Sequence, residues 1–151
     1  MLQRIEVYNP DGTLSHVEDQ RTVEQARLDK QEEINVMREE MLAAGLWYMG
    51  HFWDTSGRAR TNVTGVIAGV TAGLPLPSGF VWRDNNNNNV PFTATNLVTL
   101  GGYIIQWVNI VYGYSWNMKS QLDTKTTLAE IDAFVITWPS NNMDGTKPSD
   151  A

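Results

Sequence analysis

The chain contains no cysteine. That excludes disulfide staples, thiolate metal sites and a cysteine nucleophile. Histidine is scarce: His16 and His51 are too few and too far apart for a histidine-rich metal site. There is no excess of cations either. Eleven Lys and Arg stand against 17 Asp and Glu, a formal charge of −6. Little is available to displace phosphate counterions, so nucleic acid is not an expected partner. The opening MLQRIEVYNPDG lacks the apolar stretch of a secretory signal, and no myristoylation or prenylation pattern appears. G-x-G-x-x-G, P-loop, H-E-x-x-H and G-x-S-x-G patterns are missing too, which removes the commonest nucleotide, zinc and serine-hydrolase chemistries.

Charge is also absent locally. Residues 1–60 hold 18 of the 28 charged residues, whereas 61–118 hold only Arg83 and Asp84. Three arrangements give such a stretch: a membrane span, an unusually buried core, or a surface covered by other subunits. Residues 97–115 are long enough to span, but Gln106, Asn109 and three glycines interrupt them and no basic cluster flanks them. No span is therefore expected. At 151 residues the chain has the length of one domain and can bury roughly 68–70% of its unfolded surface without a staple.

What is present reads as alternating hairpins and helices. Leu2 to Tyr8 and Thr13 to Val17 are strands about the turn Asn9-Pro10-Asp11-Gly12, where Pro presets φ and Gly accepts a positive φ. A lone hairpin is marginal in water, so this one must pack on something. Thr22 and Gln25 form a capping box for a first helix that Gly45 stops. Its inward positions are read as Ile34, Met37, Met41 and Ala44, with the charge run from Arg27 to Glu40 as its solvated face. Leu46 to Asp54 is a short hairpin turning at Met49-Gly50. Asp54, Thr55 or Ser56 caps a second helix from Gly57 to Ala72, ended by Gly73. Leu74 to Gly79 is an extended loop. Phe80–Arg83 and Val90–Thr93 form a third hairpin whose tip is Asp84 and five asparagines.

Thr93 or Thr95 caps a third helix from Ala94 to Leu122. Leu97, Leu100, Ile104, Trp107, Val111, Tyr114 and Met118 make one stripe; Val98, Ile105, Val108 and Tyr112 make a second. Two stripes predict a helix buried on most sides, in a core or between subunits. Thr127 and Glu130 start a short fourth helix to about Phe134, Val135 to Trp138 is extended, and 140–151 reads as a flexible tail.

Two constellations invite chemistry. Asp84, Asn86 and Asn88 have calcium-loop spacing, but Asn89 stands where Gly is needed and Thr95 where a bidentate Glu belongs. A polar hairpin tip is the simpler reading, since Asn tolerates left-handed φ. His51 and Asp54, flanked by Trp47 and Trp53, make a possible His–carboxylate pair, yet no nucleophile or third group accompanies them. A structural histidine is the simpler reading there too. Asn62-Val63-Thr64 matches a glycosylation sequon by chance, inside a helix. Of six tryptophans, Trp47, Trp53 and Trp138 lie at element ends and are the ones expected to be exposed, where Trp serves interfaces or stacks on sugars.

The order of motifs from about Lys30 to Trp138 resembles an uncharacterised domain family of tailed bacteriophages. The matching residues are Met41 to Leu46, then Gly50-His51 and Asp54, then Arg60-Thr61-Asn62-Val63 with Gly65. Leu76-Pro77-Ser78-Gly79-Phe80, Trp82-Arg83, Val90-Pro91-Phe92-Thr93 and Leu97 follow. Lys119 to Asp123 and Thr127 to Asp132 complete the series. The sequence departs from the family at Met49, where an Asn-Gly-His turn is usual, and at the Asn85–Asn89 run. The resemblance implies a phage tail, tail-fibre or tail-fibre-assembly protein, and it carries no catalytic residue across.

The expectation is an α+β fold of three or four helices with short antiparallel β-hairpins and an N-terminal hairpin arm. Residues 1–20 are the docking hairpin, 21–139 the α+β domain and 140–151 the tail. The function expected is structural and non-enzymatic: a tail tip, baseplate or tail-fibre attachment component, with no cofactor or metal. Its partners would be other tail or fibre proteins and further copies of itself. It would reside in the virion after synthesis in the host bacterial cytoplasm. A fibre-assembly chaperone absent from the particle, or a receptor- or glycan-binding tail protein, are the alternatives. Ile5, Val7, Tyr8, Trp47, Trp53, Asn86 and Asn87 are the candidate partner-binding residues.

Overall fold

The structure, a computed structural model, describes residues 4–149. The expected start of the first strand, Leu2, lies outside them. The described residues form four helices and three two-stranded antiparallel pairs, an α+β fold. They divide into two compact units: 4–35 with 117–136, and 36–116 with 137–149.

In the first unit, β1 (Arg4–Tyr8) pairs with β2 (Leu14–Asp19) in a ribbon that shifts register between Val7 and Tyr8. The turn is fixed by its own side chains. The Thr13 N–H and hydroxyl both donate to Asp11, at 2.9 and 2.6 Å, and Gly12 takes φ +85°. Almost every hairpin residue is exposed. Its attachment is polar: Arg4 and Arg21 both bond Asp132, and Arg21 also pairs with Asp19 at 2.7 Å. Asp132 belongs to α4 (Leu128–Asp132), whose N-cap Thr127 accepts from the Glu130 N–H. The cap of α1 (Val23–Ala44) is the expected one, Thr22 accepting the Gln25 N–H at 3.1 Å. Arg27 donates to the carbonyls of Leu122 and Lys125, at 3.3 and 2.7 Å. These carbonyls lie at and just past the end of a helix, and that of Leu122 also accepts the Lys125 N–H at 3.0 Å. That helix is α3 (Ala94–Asp123). The buried apolar side chains of this unit are Ala26, Ile34, Met118, Leu122 and Ile131.

The second unit holds the larger core, built from α1, β3 (Leu46–Tyr48), β4 (His51–Trp53), α2 (Gly57–Thr71), β5 (Val81–Arg83), β6 (Asn89–Pro91) and α3. Leu42, Leu46, Trp53, Leu97, Leu100, Ile104, Trp107 and Val111 are its buried centre. Trp53 packs on Phe92 at 4.9 Å between centroids, and its indole N–H donates to the Tyr48 carbonyl at 2.8 Å. Thr93 caps α3: its hydroxyl accepts the Asn96 N–H at 3.1 Å, and Asn96 Oδ1 accepts the Thr93 N–H at 2.9 Å. Ser56 is the N-cap of α2 but makes no side-chain cap bond. The β3–β4 turn has φ +52° at Met49 and +77° at Gly50. Both central residues thus take the positive φ of a type I′ turn, although Met is a poor residue for it.

Four expectations are corrected. On α1 Ile34 is buried as expected and Met37 and Met41 are half-buried, but at the helix end it is Leu42 that is buried and Ala44 is exposed. On α3 the inward series continues from Val111 to Ser115, not Tyr114, which is 43% exposed. The positions 97, 100, 104, 107, 111, 115, 118 and 122 follow the 3.6-residue period of a straight helix, which drifts from a strict heptad. The second stripe is only half covered: Val108 and Tyr112 are partly buried against the core, whereas Val98 is 48% and Ile105 66% exposed. Finally, the expected flexible tail is tied down along β3. The Trp47 N–H donates to the Asn141 carbonyl at 2.8 Å and the Met143 N–H to the Trp47 carbonyl at 3.3 Å. Asn141 Nδ2 donates to the Gly45 carbonyl at 2.9 Å, and Asp144 accepts the Met49 N–H at 2.9 Å. Residues 150 and 151 of that segment lie outside the described residues.

Candidate functional site

The asparagine run has a structural job that spacing alone did not reveal. Asp84 is 5% exposed, and a buried carboxylate must be fully hydrogen-bonded. It accepts the N–H groups of Asn86 and Asn88 at 2.9 and 2.8 Å, and Asn88 Nδ2 at 2.9 Å. His51 Nδ1 is its fourth partner, at 2.7 Å. Burial alone would raise the Asp84 pKa. The Asn88 amide and N–H, His51 and the Asn86 N–H outweigh it and hold the carboxyl at about 2. The partner of His51 is therefore Asp84, not Asp54. Asp54 instead accepts the Ser56 N–H and hydroxyl, at 2.8 and 3.0 Å. The Asp84–Asn86–Asn88 spacing that suggested calcium builds a self-bonded turn.

Two further asparagines complete the tip. Asn85 Nδ2 donates to the last carbonyls of α1, on Ala43 and Ala44, at 3.0 and 3.1 Å, and the Asn85 N–H donates to the Phe52 carbonyl at 2.8 Å. Asn87 takes the left-handed φ of +64° that Asn tolerates.

This fixed tip forms one wall of a cleft of about 640 Å³. Trp53, Val63, Leu100 and Ile104 are its buried floor; Trp82, Arg83 and Asn87 line one side, and Arg58 and Asn62 of α2 the other. Arg83 Nε donates to Asn89 at 3.2 Å. Arg58 makes no ion pair or hydrogen bond among the described residues. With both carboxylates occupied, the groups left to meet a ligand are guanidinium and amide donors over an apolar floor, which suits binding.

A second surface in this unit is apolar. Val98, Ile105, Ile110, Tyr114 and Trp116 of α3 are exposed, Trp116 by 64%. A groove of about 450 Å³ between α2 and α3 runs beside Val98 and Ile105.

The candidate residues from the sequence are scattered over these surfaces. Ile5 and Tyr8 are exposed on β1 in the first unit, and Val7 is half-buried. In the second unit, Trp53 and Asn87 share the cleft and Asn86 sits in its rim loop. Trp53 is not exposed, as its position had suggested: at 1% exposure it can present no face for stacking. Trp47 is half-buried, its N–H on Thr146 at 3.0 Å and its ring edge-on to Phe52. Trp138 is half-buried as well. The exposed tryptophan is Trp116. Sequence reasoning missed Trp82, Arg58, Arg83 and Asn62 as neighbours. The only trace of them was two cations flanking an uncharged stretch.

A family model described as a domain of unknown function, DUF4376, matches residues 25–135. No curated protein and no solved structure matches the chain.

Proposed function

From the premise that the chain belongs to the DUF4376 family, we propose that it is a non-enzymatic structural component of a bacteriophage tail, located at the tail tip, baseplate or tail-fibre attachment. It acts by protein–protein packing, in several copies, with other tail or fibre proteins as neighbours. Its site is the virion, reached after synthesis in the host cytoplasm. The motif order from Lys30 to Trp138 supports the phage setting.

The observation that carries the packing role is the exposed, uncharged face of α3. Five large apolar side chains lie open between Val98 and Trp116, with Val98, Ile105 and Trp116 on one side of the helix by its 3.6-residue period and Ile110 and Tyr114 on another, and no charge interrupts the helix before Lys119. Fully burying such a side chain is worth about 1.5–3 kcal/mol. These are already roughly half covered, so the face yields on the order of 5 kcal/mol. Association costs about 4–15 kcal/mol in lost freedom. The helix face is thus an adhesive that becomes effective when multiplied across an assembly. The exposed hairpin offers a second surface, with Ile5, Tyr8, Leu14 and Val17 open on it, suited to strand addition. Among the described residues no helix is long and apolar enough to cross a membrane, so a bilayer-spanning α3 does not account for this face.

The test is quantitative mass spectrometry of purified mature particles, with immunogold labelling. A fixed copy number at one tail location is expected. Presence in infected lysate with absence from particles would overturn the structural role in favour of an assembly chaperone.

A further inference from the structure

We infer that the cleft between α2 and the β5–β6 hairpin binds an acidic carbohydrate, its ring lying on Trp82 and its carboxylate or phosphate held by Arg58 and Arg83. The inference stands apart from the assembly role and rests on the cleft alone.

Size is the first argument. About 640 Å³ falls within the range of small-molecule sites, about 300–1,000 Å³. Lining is the second. A sugar has an apolar C–H face and a polar edge. The cleft offers a half-buried indole and an aliphatic floor, with the amides of Asn62 and Asn87 among its lining groups. Each amide both donates and accepts, as a hydroxyl does. Charge is the third. The cleft lining holds two carboxylates, Asp54 and Asp84, and two guanidiniums, Arg58 and Arg83, and of these the guanidiniums keep hydrogen-bonding groups for a ligand. The oxygens of Asp84 are filled by His51 and its own loop, and those of Asp54 by Ser56. Two guanidiniums pair with carboxylate or phosphate in strong, charge-assisted geometry. A nucleic acid would need a far wider basic surface than two arginines. Preorganisation is the fourth. The Asp84 hydrogen bonds and the Asn85 bonds to α1 hold the tip in place before any ligand arrives, which lowers the ordering cost of binding.

The test uses protein labelled with 5-fluorotryptophan, with the Trp82 resonance assigned by Trp82→Phe. The probes are oligogalacturonate, oligosialate and a phosphorylated lipopolysaccharide core oligosaccharide; maltotriose is the neutral control. At least one acidic probe is expected to move the Trp82 resonance saturably while maltotriose leaves it in place. The double variant Arg58→Gln, Arg83→Gln alters two exposed side chains, so its fluorine spectrum without ligand should match that of the parent. Its affinity by calorimetry is expected to fall at least tenfold. Calorimetry needs no Trp82 assignment, so it decides the matter even if Trp82→Phe folds poorly. No binding by any acidic probe, equal binding of maltotriose, or unchanged affinity in the double variant would each overturn the inference.

Discussion

Gly45 ends α1 and starts β3, and its substitution separates two effects usually mixed together. Its φ is +80°, a conformation that costs an L-residue about 1–2 kcal/mol. A Cβ there would lie 1.8 Å from the Trp53 carbonyl oxygen and 2.6 Å from its carbon. That backbone cannot move cheaply. Trp53 is 1% exposed, its N–H is bonded to Tyr48, and Thr55 beyond it donates twice to the Leu42 carbonyl, at 2.9 and 2.6 Å. Relieving the clash adds an overpacking cost of about 1–3 kcal/mol. Gly45→Ala should therefore cost about 3–4 kcal/mol, a large share of a total near 5–15 kcal/mol. Gly73 is the internal control, with φ +90° and no atom within 4 Å of where a Cβ would lie. Gly73→Ala should cost only the backbone strain, about 1–2 kcal/mol. Urea unfolding followed by tryptophan fluorescence is the assay. With a slope of about 2 kcal/mol/M, the midpoint should fall by roughly 2 M for Gly45→Ala and by under about 1 M for Gly73→Ala. Equal shifts would refute the close approach of Gly45 to β4.

Two further outcomes follow from buried polar groups. Ser115 is fully buried on α3 and its hydroxyl has no hydrogen-bond partner among the described residues, so Ser115→Ala should stabilise the protein by about 1 kcal/mol; a loss of that size in the same urea assay would show that the hydroxyl is bonded. Asp84→Asn should cost about 2–3 kcal/mol at neutral pH, because hydrogen bonds to a charged acceptor are lost. The folded carboxyl sits at about 2, below its ordinary 3.8. Its contribution is therefore fully present above 3.8 and fades as pH falls towards 2. Asp19 and Asp132, lowered chiefly by hydrogen bonds from Arg21, act in the same direction in both proteins. The gap between wild type and Asp84→Asn should close over that window, and a constant gap would sink the assignment.

The parts of the fold that sequence revealed are those set by neighbours along the chain. Thr22, Thr93 and Thr127 each accept an N–H three residues on, so the start of their helices is readable within four residues. The Asp11 turn is equally local. Gly45 and Gly73 mark helix ends because a positive φ there favours glycine. The α3 stripe was readable only while heptad and helix periods agreed, and it slipped at Tyr114 once the drift reached one residue. The second stripe misled at Val98 and Ile105, though not at Val108 and Tyr112, for a different reason. Hydrophobicity shows that a face avoids charge, and does not show what covers it.

By itself, then, the sequence determined the order of hairpins and helices, their caps and turns, and the uncharged character of residues 61–118. These depend on backbone conformation and side-chain type over a few residues. Tertiary structure alone decided that His51 meets Asp84, 33 residues away, that Asn85 caps α1, and that 141–147 lies along β3. It also decided that Trp53 is core while Trp116 is open, and that Arg58 and Arg83 border one cleft. Each of these pairs groups far apart in the chain. Polar side chains carry no periodic signal that names their partner; only packing in three dimensions, where a buried donor must find an acceptor, selects one.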